Sequence, residues 1–479
     1  MLSVDEAREW ATRGFGAAAE SVRRRHLIPK AILIGLAAGA VGVLFRTLPE
    51  HLVAGAAALR GGLPDGPGYV AAWLLGSAGF GALAVWLVVR FAPEAGGGGM
   101  PHLRATLARR IEFRWARVLT VKAGSLLAAA AGGMGVGSEA PAIHAGGACG
   151  QGLAHLLRAP RGIGEHRALI SAGAAAGLSA AFNAPLAGVI FVLEELQGNF
   201  STPVLVCSVL ASATADVLSR AWIGHPPVFH LHGTVCPPGL GPLLGASVLG
   251  LAAGVIGAVF NSRLVASAGI SSGKRPKARV ALGAVAAALT AFMAMHHPGM
   301  SGGGAPLVEL AMNGTPALSL LLTLFALRFA STLLATASGA AAGFMVPLLA
   351  LGALLGRALG DQWNRFVPGS ALPSGIFVAV GMGAFFSASV RAPLTALVLV
   401  LELTGDYGFM LPALIGCMVA FLVAEELGSP PVYHALAGAS GSEAPSAADT
   451  EEPRQNTGSR ESMRPDSNSQ STAASEARD

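Results

Sequence analysis

One carboxylate lies inside an otherwise apolar stretch of the sequence. Glu139 occurs in the segment Gly137–Pro141, whose neighbours on both sides are mostly Ala, Gly, Leu and Met. A charged side chain at bilayer depth costs about 2.5 to 3.5 kcal/mol even on the lenient insertion scale, so such a residue normally has a function. We therefore predict that Glu139 is a functional carboxylate. The alternative is that it lies in an aqueous loop between two membrane spans.

The composition is that of a membrane protein. Of 479 residues, 53% are hydrophobic and only 12% are charged, whereas about a quarter of the residues of a soluble domain are charged. The 64 glycines suit close packing between transmembrane helices, where small residues let backbones approach. The four cysteines are widely spaced without a CxxC motif, so we expect no disulfide framework, no metal site and no cofactor.

Charge and loop composition predict how the chain crosses the membrane. By the positive-inside rule, basic clusters before the first apolar span, in residues 104–117 and in residues 274–279 mark cytoplasmic segments. The predicted order is a cytoplasmic amphipathic helix (1–28), a first transmembrane repeat (29–221), an extracytoplasmic loop (222–237), a second transmembrane repeat (238–438) and a disordered cytoplasmic tail (439–479). Both termini are thus predicted to be cytoplasmic, and the first span is predicted over Ala31–Phe45. The basic excess belongs to the membrane body, so nucleic acid is not an expected partner.

Three short motifs recur in the same order in the second half of the chain. The pairs are Gly97–Pro101 with Gly302–Pro306, Gly137–Pro141 with Gly343–Pro347, and Ala184–Leu186 with Ala392–Leu394. Their nearly constant separation predicts two homologous halves, which are inverted in the membrane if each crosses it an odd number of times. Helices that start at such Gly-x-x-x-Pro turns aim backbone N–H groups at one point. That arrangement binds an anion without a buried fixed cation.

These residues resemble the CLC family of chloride channels and proton-coupled chloride antiporters. The family signatures GSGIP, GREGP and GIFAP are similar to Gly97–Pro101, Gly137–Pro141 and Gly343–Pro347, and the resemblance extends over residues 30 to 438 in the same order. It implies an all-α polytopic membrane protein with an inverted-topology repeat and broken, re-entrant helices. It also implies a homodimer in the lipid bilayer, of the prokaryotic type without regulatory domains.

The resemblance implies roles for two glutamates. Glu139 matches the gating glutamate, whose carboxylate occupies an anion site when ionised and swings out when protonated. Glu195 matches the inner glutamate that passes protons to the cytoplasm in the antiporters. A helix-end position facing cytoplasmic water is the alternative for Glu195, because charged residues near helix ends reach the interface cheaply.

The resemblance also implies an anion site. Tyr433 matches the tyrosine whose hydroxyl coordinates the central anion, and the backbone N–H groups of Phe344 and Met345 complete that site. Gly98 stands where the family has a serine that helps to select chloride over nitrate, so the preferred anion is left open among chloride, nitrate and fluoride. For Tyr433 the alternative is an aromatic anchor at the membrane interface.

Other positions depart from the family pattern. Ser138 replaces the arginine of GREGP, and Arg104 falls where the family often has a glutamate, which indicates that a charge pair near Glu195 is either dismantled or rewired. His144 is a polar residue among Ala and Gly, and either a role in proton transfer or a hydrogen-bonded structural role is compatible with its position.

We therefore predict a multi-pass protein of the cell membrane, not an enzyme, that exchanges a monovalent anion such as chloride for protons. A passive, gated anion channel of the same fold is the alternative, against which Glu195 argues. A membrane scaffold without transport is a third hypothesis, which a carboxylate and broken helices at membrane depth disfavour.

Overall fold

The computed structural model describes residues 4–159, 163–198, 200–224, 227–231, 239–367 and 373–439. These residues form α-helices joined by short turns, with no strand longer than an isolated bridge among them. The helices are α1 (Val4–Gly61), α2 (Pro67–Phe91), α3 (Met100–Leu107), α4 (Trp115–Ala131), α5 (Glu139–Leu156), α6 (Ile163–Phe182), α7 (Pro185–Phe191), α8 (Thr202–Ile223), α9 (Leu240–Ser272), α10 (Pro276–His296), α11 (Ala305–Asn313), α12 (Leu318–Ser338), α13 (Met345–Phe366), α14 (Ser374–Val390), α15 (Pro393–Thr404), α16 (Met410–Glu426) and α17 (Val432–Ala439). The tail predicted to be disordered lies outside the described residues from position 440 onward, as does half of the loop predicted over 222–237.

The first helix differs from the prediction. Helix α1 runs from Val4 to Gly61 without a break, although it contains Pro29 and Pro49. The candidate span within it, His26–Gly61, is longer than the first span predicted over Ala31–Phe45, and the domain boundary after residue 28 stays a prediction. Proline is tolerated inside membrane helices because neighbouring helices and local adjustments satisfy the freed backbone groups.

Six helices are long and apolar enough to cross a membrane by length and composition: α1, α2, α8, α9, α10 and α12. Others are much shorter. Helices α3, α7 and α11 have 8, 7 and 9 residues, whereas a full crossing needs about 20. Helices of this length cannot cross a membrane on their own, which agrees with the broken helices that the family resemblance implies.

The helices form two halves with the same order. Helices α1 to α8 correspond to α9 to α16, and α17 follows the second half. Where equivalent segments of the two halves meet, at Gly137 and Gly343, they run antiparallel. This is the arrangement expected when the halves have opposite orientations in the membrane. The prediction of an all-α fold with an inverted repeat is confirmed.

Glycine pairs let the helices of each half pack backbone to backbone. A Cβ atom added to Gly173 of α6 would lie 2.2 Å from the carbonyl oxygen of Gly146 in α5. In the second half, a Cβ atom on Gly381 of α14 would lie 2.3 Å from the carbonyl oxygen of Gly352 in α13. The two pairs occupy equivalent positions, so the same close approach of two helices recurs in each half.

Two glutamates join the halves through their helix ends. Glu194 accepts hydrogen bonds from the backbone N–H groups of Leu394 (3.1 Å) and Thr395 (2.7 Å) at the start of α15. Its repeat partner Glu402 accepts the corresponding bonds from Leu186 (3.0 Å) and Ala187 (2.7 Å) at the start of α7. Each half thus supplies the carboxylate that caps a helix of the other, which satisfies backbone donors that lack partners within the helix.

The glycine pairs lead to a stability prediction. Replacing Gly381 by Ala inserts a methyl group into the contact with Gly352, and such overpacking costs about 1–3 kcal/mol. Gly381→Ala should therefore lower the midpoint of thermal unfolding of the detergent-solubilised protein. The matched control is Gly79→Ala in α2, where an added Cβ meets nothing within 4 Å. Equal midpoints for the two variants would contradict the packing argument.

Candidate functional site

Two glycine loops place short helices at the centre of the molecule. Gly97 and Gly99 have φ angles of 58° and 83°, and their repeat partners Gly302 and Gly304 have φ angles of 64° and 94°. Only glycine adopts this left-handed region at low cost. Each loop leads directly into a short helix with proline in its first turn, α3 or α11. The motifs that the sequence paired therefore have the same local structure.

The second pair of motifs meets directly. The Gly137 N–H donates to the Gly343 carbonyl at 2.8 Å, and the Gly343 N–H donates to the Gly137 carbonyl at 2.9 Å. Helix α5 begins two residues after Gly137 and α13 begins two residues after Gly343. The N-terminal ends of these two helices consequently point toward a common centre, and each carries partial positive charge.

Glu139 lies at this centre. Glu139 is 9% exposed. One of its carboxylate oxygens accepts a hydrogen bond from the Ser138 hydroxyl at 3.2 Å. The other oxygen has no hydrogen-bond partner among the described residues. A Cβ atom on Gly137 would lie 2.4 Å from that second oxygen. The carboxylate is therefore packed against the backbone where α5 and α13 converge, and a position in an aqueous loop does not describe it.

Two cavities approach this centre. One, of about 400 Å³, is lined by Gly97–Gly99, His102, Gly343 and Phe344 among others, and we call it the first-loop cavity. The other, of about 520 Å³, is lined by residues that include Gly302–Gly304, Ser138, Glu139 and Val346, and we call it the second-loop cavity. Val136 lines both cavities. Val136 is therefore a wall that the two cavities share, next to the Gly137–Gly343 contact.

Two buried cations hold the glycine loops. Lys122 in α4 is 0% exposed and donates to the Gly97 carbonyl at 2.9 Å. Arg328, its equivalent in α12, is also 0% exposed and donates to the carbonyls of Met300 (3.0 Å) and Gly302 (2.8 Å). The sequence interpretation did not identify these two buried cations. The 206-residue separation of these two basic residues in apolar helices was the signal that could have revealed them.

Tyr433 and Phe344 form a stacked pair beside the first-loop cavity. Their ring centroids are 5.3 Å apart with an interplanar angle of 26°. Tyr433 is 1% exposed, so an interfacial anchor does not describe it, and its hydroxyl has no hydrogen-bond partner among the described residues. Phe344 caps α13 and Met345 is its first residue. The N–H groups at such a helix start have no acceptor within the helix.

Glu195 occupies a different environment from its neighbour Glu194. It lies in a π-helical turn, Val192–Gln197, its side chain is 5% exposed, and it forms a salt bridge with Arg104 at 2.9 Å. Arg104 also contacts the ring of His434, the residue after Tyr433. Of the two alternatives that the sequence left open for this charge pair, the structure shows an ion pair between α3 and this turn, and Glu195 does not face open water.

Gly98 is surrounded by backbone and small side chains. A Cβ atom at this position would lie 2.9 Å from the Cβ atom of Ala140, with no other heavy atom within 4 Å. The loop therefore presents no side-chain donor to the first-loop cavity at Gly98. Among the described residues, no group of three or more His, Cys, Asp or Glu side chains could hold a metal ion.

Comparison with known proteins gives the family. The model of the family described as voltage gated chloride channel matches residues 80–425. The H(+)/Cl(-) exchange transporter ClcA of Yersinia pestis bv. Antiqua (strain Angola) is 36% identical over 359 residues, covering 74% of this chain and 75% of that protein. ClcA of Salmonella typhi is 38% identical over 358 residues, covering 73% of this chain and 75% of that protein.

Solved structures have the same fold. A slow cyanobacterial Cl-/H+ antiporter superposes with a TM-score of 0.81 at 31% identity, covering 86% of this chain and 97% of that one. A CLC-type fluoride/proton antiporter superposes with a TM-score of 0.67 at 22% identity, covering 84% and 96% of the two chains, which shows the shared fold alone. The chain therefore belongs to the CLC family of voltage gated chloride channels.

Proposed function

We propose that this protein is a secondary active transporter that exchanges a monovalent anion, chloride in the simplest case, for protons. The observation that carries the proposal is the buried carboxylate of Glu139, which is packed against Gly137 where α5 and α13 converge. An ionised carboxylate and a free anion have the same charge, and both are stabilised by helix N-termini. They therefore compete for one position.

This competition couples the two substrates. When Glu139 is ionised, its carboxylate fills the position between the cavities and excludes the anion. When Glu139 takes up a proton, the side chain loses its attraction to the helix ends and moves toward the second-loop cavity, which it already lines. The anion then takes its place. Passage of the anion and movement of the proton thus depend on the same side chain.

The anion site on the other side of the contact is formed mainly by backbone. We place the anion between the Gly97–Gly99 loop, the N–H groups of Phe344 and Met345, and the Tyr433 hydroxyl. The unpartnered buried hydroxyl of Tyr433 supports this placement, because a buried polar group without a partner costs about 1–3 kcal/mol. Lys122 adds positive potential from behind the loop while its ammonium group bonds the Gly97 carbonyl.

Glu195 is the proposed proton acceptor on the cytoplasmic side. Burial opposes the ionised carboxylate of Glu195, whereas its salt bridge with Arg104 favours it, and proton uptake releases this contact. Breaking a buried ion pair is costly, because it leaves a charge without a partner. We infer that proton transfer at Glu195 is slow relative to anion movement. The similar cyanobacterial Cl-/H+ antiporter is likewise described as slow.

The orientation of the protein follows from its basic residues. Arg279 lines the first-loop cavity, and it belongs to one of the basic clusters that mark cytoplasmic loops. We therefore assign the first-loop cavity and both termini to the cytoplasm, and the second-loop cavity to the opposite side. This assignment keeps the predicted repeat limits, residues 29–221 and 238–438. Helix α1 begins before residue 29 and continues into the first repeat.

We further propose that the protein is a homodimer in the lipid bilayer. Helices α7 and α15 have 7 and 12 residues, too short to span a hydrocarbon layer of about 30 Å. Yet Leu186 and Leu394 at their starts are 55% and 47% exposed. Short helices are poorly shielded in lipid because their ends expose backbone. A second copy packed on this surface would cover them.

A passive channel is less well supported than an exchanger. Both similar ClcA proteins are named exchange transporters, and Glu195 is an acid at the position that is usually apolar in channels of the family. No separate feature of the described residues favours a channel over coupled transport.

Coupling can be tested in liposomes that carry a chloride gradient while the external pH is followed. Wild-type protein should drive protons uphill. Glu139→Gln and Glu195→Gln should reduce this proton movement by at least about tenfold, because general acid–base groups contribute factors of this size or more, while chloride flux continues. The matched control is Glu309→Gln, an exposed acid of the second-loop cavity, which should retain coupling. Chloride flux without proton movement in the wild type would contradict exchange and favour a channel.

The contact between Gly98 and Ala140 predicts how selectivity can be changed. Gly98→Ser alone should impair transport, because its Cβ atom would lie 2.9 Å from that of Ala140. Combining Gly98→Ser with Ala140→Gly removes the overlap and should restore transport with a higher ratio of chloride to nitrate flux, because the serine hydroxyl adds a donor at the anion site. An unchanged flux ratio in the double variant would show that Gly98 does not set the anion preference.

The proposed dimer and the proposed orientation can each be tested directly. Light scattering of the detergent-solubilised protein should give a mass of two chains, and Leu186→Arg combined with Leu394→Arg should shift it toward one chain, because charged side chains disfavour an apolar interface.

In inside-out vesicles, protease should remove the C-terminal tail. A tail cleaved only in right-side-out vesicles would contradict the cytoplasmic position of the C-terminus, and a monomeric wild type would contradict the proposed dimer.

A further inference from the structure

Two histidines connect the first-loop cavity to the buried side of helix α5. His102 of α3 lines the cavity together with the Gly97–Gly99 loop. Its Nδ1 atom lies 3.0 Å from Nε2 of His144 in α5. His144 is 0% exposed. The pair therefore links a solvent-accessible wall to the interior, a few residues after Glu139 on the same helix.

The geometry of the pair is fixed by an aromatic ring. Phe113 stacks on His144 with a centroid distance of 5.4 Å and an interplanar angle of 10°. The same ring packs edge-to-face against His102 with a centroid distance of 5.0 Å and an angle of 74°. Phe113 itself is 5% exposed, so it shields this side of the pair from water. The two imidazoles are held in a single hydrogen-bonded arrangement.

The inner end of the pair lies directly against the glycine loop. Nδ1 of His144 has no hydrogen-bond partner among the described residues. A Cβ atom on Gly99 would lie only 1.9 Å from this nitrogen. Any positive charge on His144 would therefore act at the Gly97–Gly99 loop, from the side opposite to the cavity.

Charged groups on the surrounding elements define the field at the pair. They are Lys122 from α4, Glu94 from the short turn before the glycine loop, and Arg279 from α10, which shares the cavity wall with His102. Arg104, on the same helix as His102, is directed to Glu195. Burial of the two rings opposes a positive charge most strongly, Lys122 and Arg279 also oppose it, and Glu94 favours it. An anion bound in the cavity would favour it as well.

We propose that His102 and His144 form a proton-binding site that is coupled to anion binding at the Gly97–Gly99 loop. The proton binds to the nitrogen of His102 that is not engaged with His144. The proton on Nδ1 of His102 then passes to Nε2 of His144. One proton is gained and none is lost, so the pair carries one positive charge, centred on His144 behind the loop.

Reciprocal coupling follows from thermodynamic linkage. If the charge on the pair stabilises the anion, the anion stabilises the charge by the same factor. Cytoplasmic acid would therefore raise the affinity of the first-loop cavity for its anion independently of Glu139. This inference rests on the proposed function, because it assumes that an anion binds at this loop.

The test separates the pair from the gating carboxylate. Chloride binding to the full-length, detergent-solubilised Glu139→Gln protein is measured by isothermal titration calorimetry at about pH 8 and about pH 4, because burial shifts protonation of the pair to more acidic pH than that of an exposed histidine. We expect affinity to rise on acidification by at least about fivefold, the lower end of the usual range for coupling between two sites. Adding His102→Gln or His144→Gln should abolish the rise.

The matched control is His155→Gln in the same background. His155 also lies on α5, where it contacts Gln151, and this variant should keep the full rise in affinity. Since His144 is buried, its variant can fail to fold, in which case His102→Gln decides. A rise that persists in His102→Gln overturns the inference and leaves the proposed function standing. Absence of chloride binding in every variant at both pH values overturns both.

Discussion

The reciprocal hydrogen bonds between Gly137 and Gly343 are the contact on which the rest of the site depends. They bring the N-terminal ends of α5 and α13 together with only backbone between them. A Cβ atom on Gly343 would lie 2.9 Å from Cδ of Pro141 and 3.0 Å from Cβ of Ala140, so no larger residue fits without a shift of the chain. The partial charges of two helices can act on one small anion because nothing larger than a backbone separates them.

Most of the stabilising contacts around the glycine loops and helix ends occur twice, once in each half. Lys122 and Arg328 hold equivalent glycine loops, and Glu194 and Glu402 cap equivalent helices across the two halves. Three titratable side chains, by contrast, occur in one half only. The positions equivalent to Glu139, Glu195 and His144 in the other half are occupied by Met345, Leu403 and Ala350. The frame is therefore symmetric, whereas these three titratable side chains are not repeated.

Charge inside the frame is balanced by backbone carbonyls and carboxylates. A buried cation is tolerable when its donors are satisfied. Lys122 and Arg328 meet this condition with the carbonyls of the glycine loops. By using the carbonyls on one side of each loop, they also leave the loop's other side for an anion. Glu139 has no such cationic partner within hydrogen-bonding distance among the described residues, and one of its oxygens is unpaired there. Within the described part of the chain, no ion pair therefore holds the Glu139 side chain in place.

The sequence by itself determined the class of protein, the repeat and the positions of the helix starts. These follow from local physics: apolar composition requires a membrane, positive-φ glycines and prolines fix where helices begin, and a carboxylate among small apolar residues marks a site. Only the tertiary structure decided the partners of the polar groups. The contacts of Lys122 with Gly97, of Arg104 with Glu195 and of His102 with His144 join residues 25, 91 and 42 positions apart. Such pairings depend on how separate helices pack, and no local pattern in the chain specifies them.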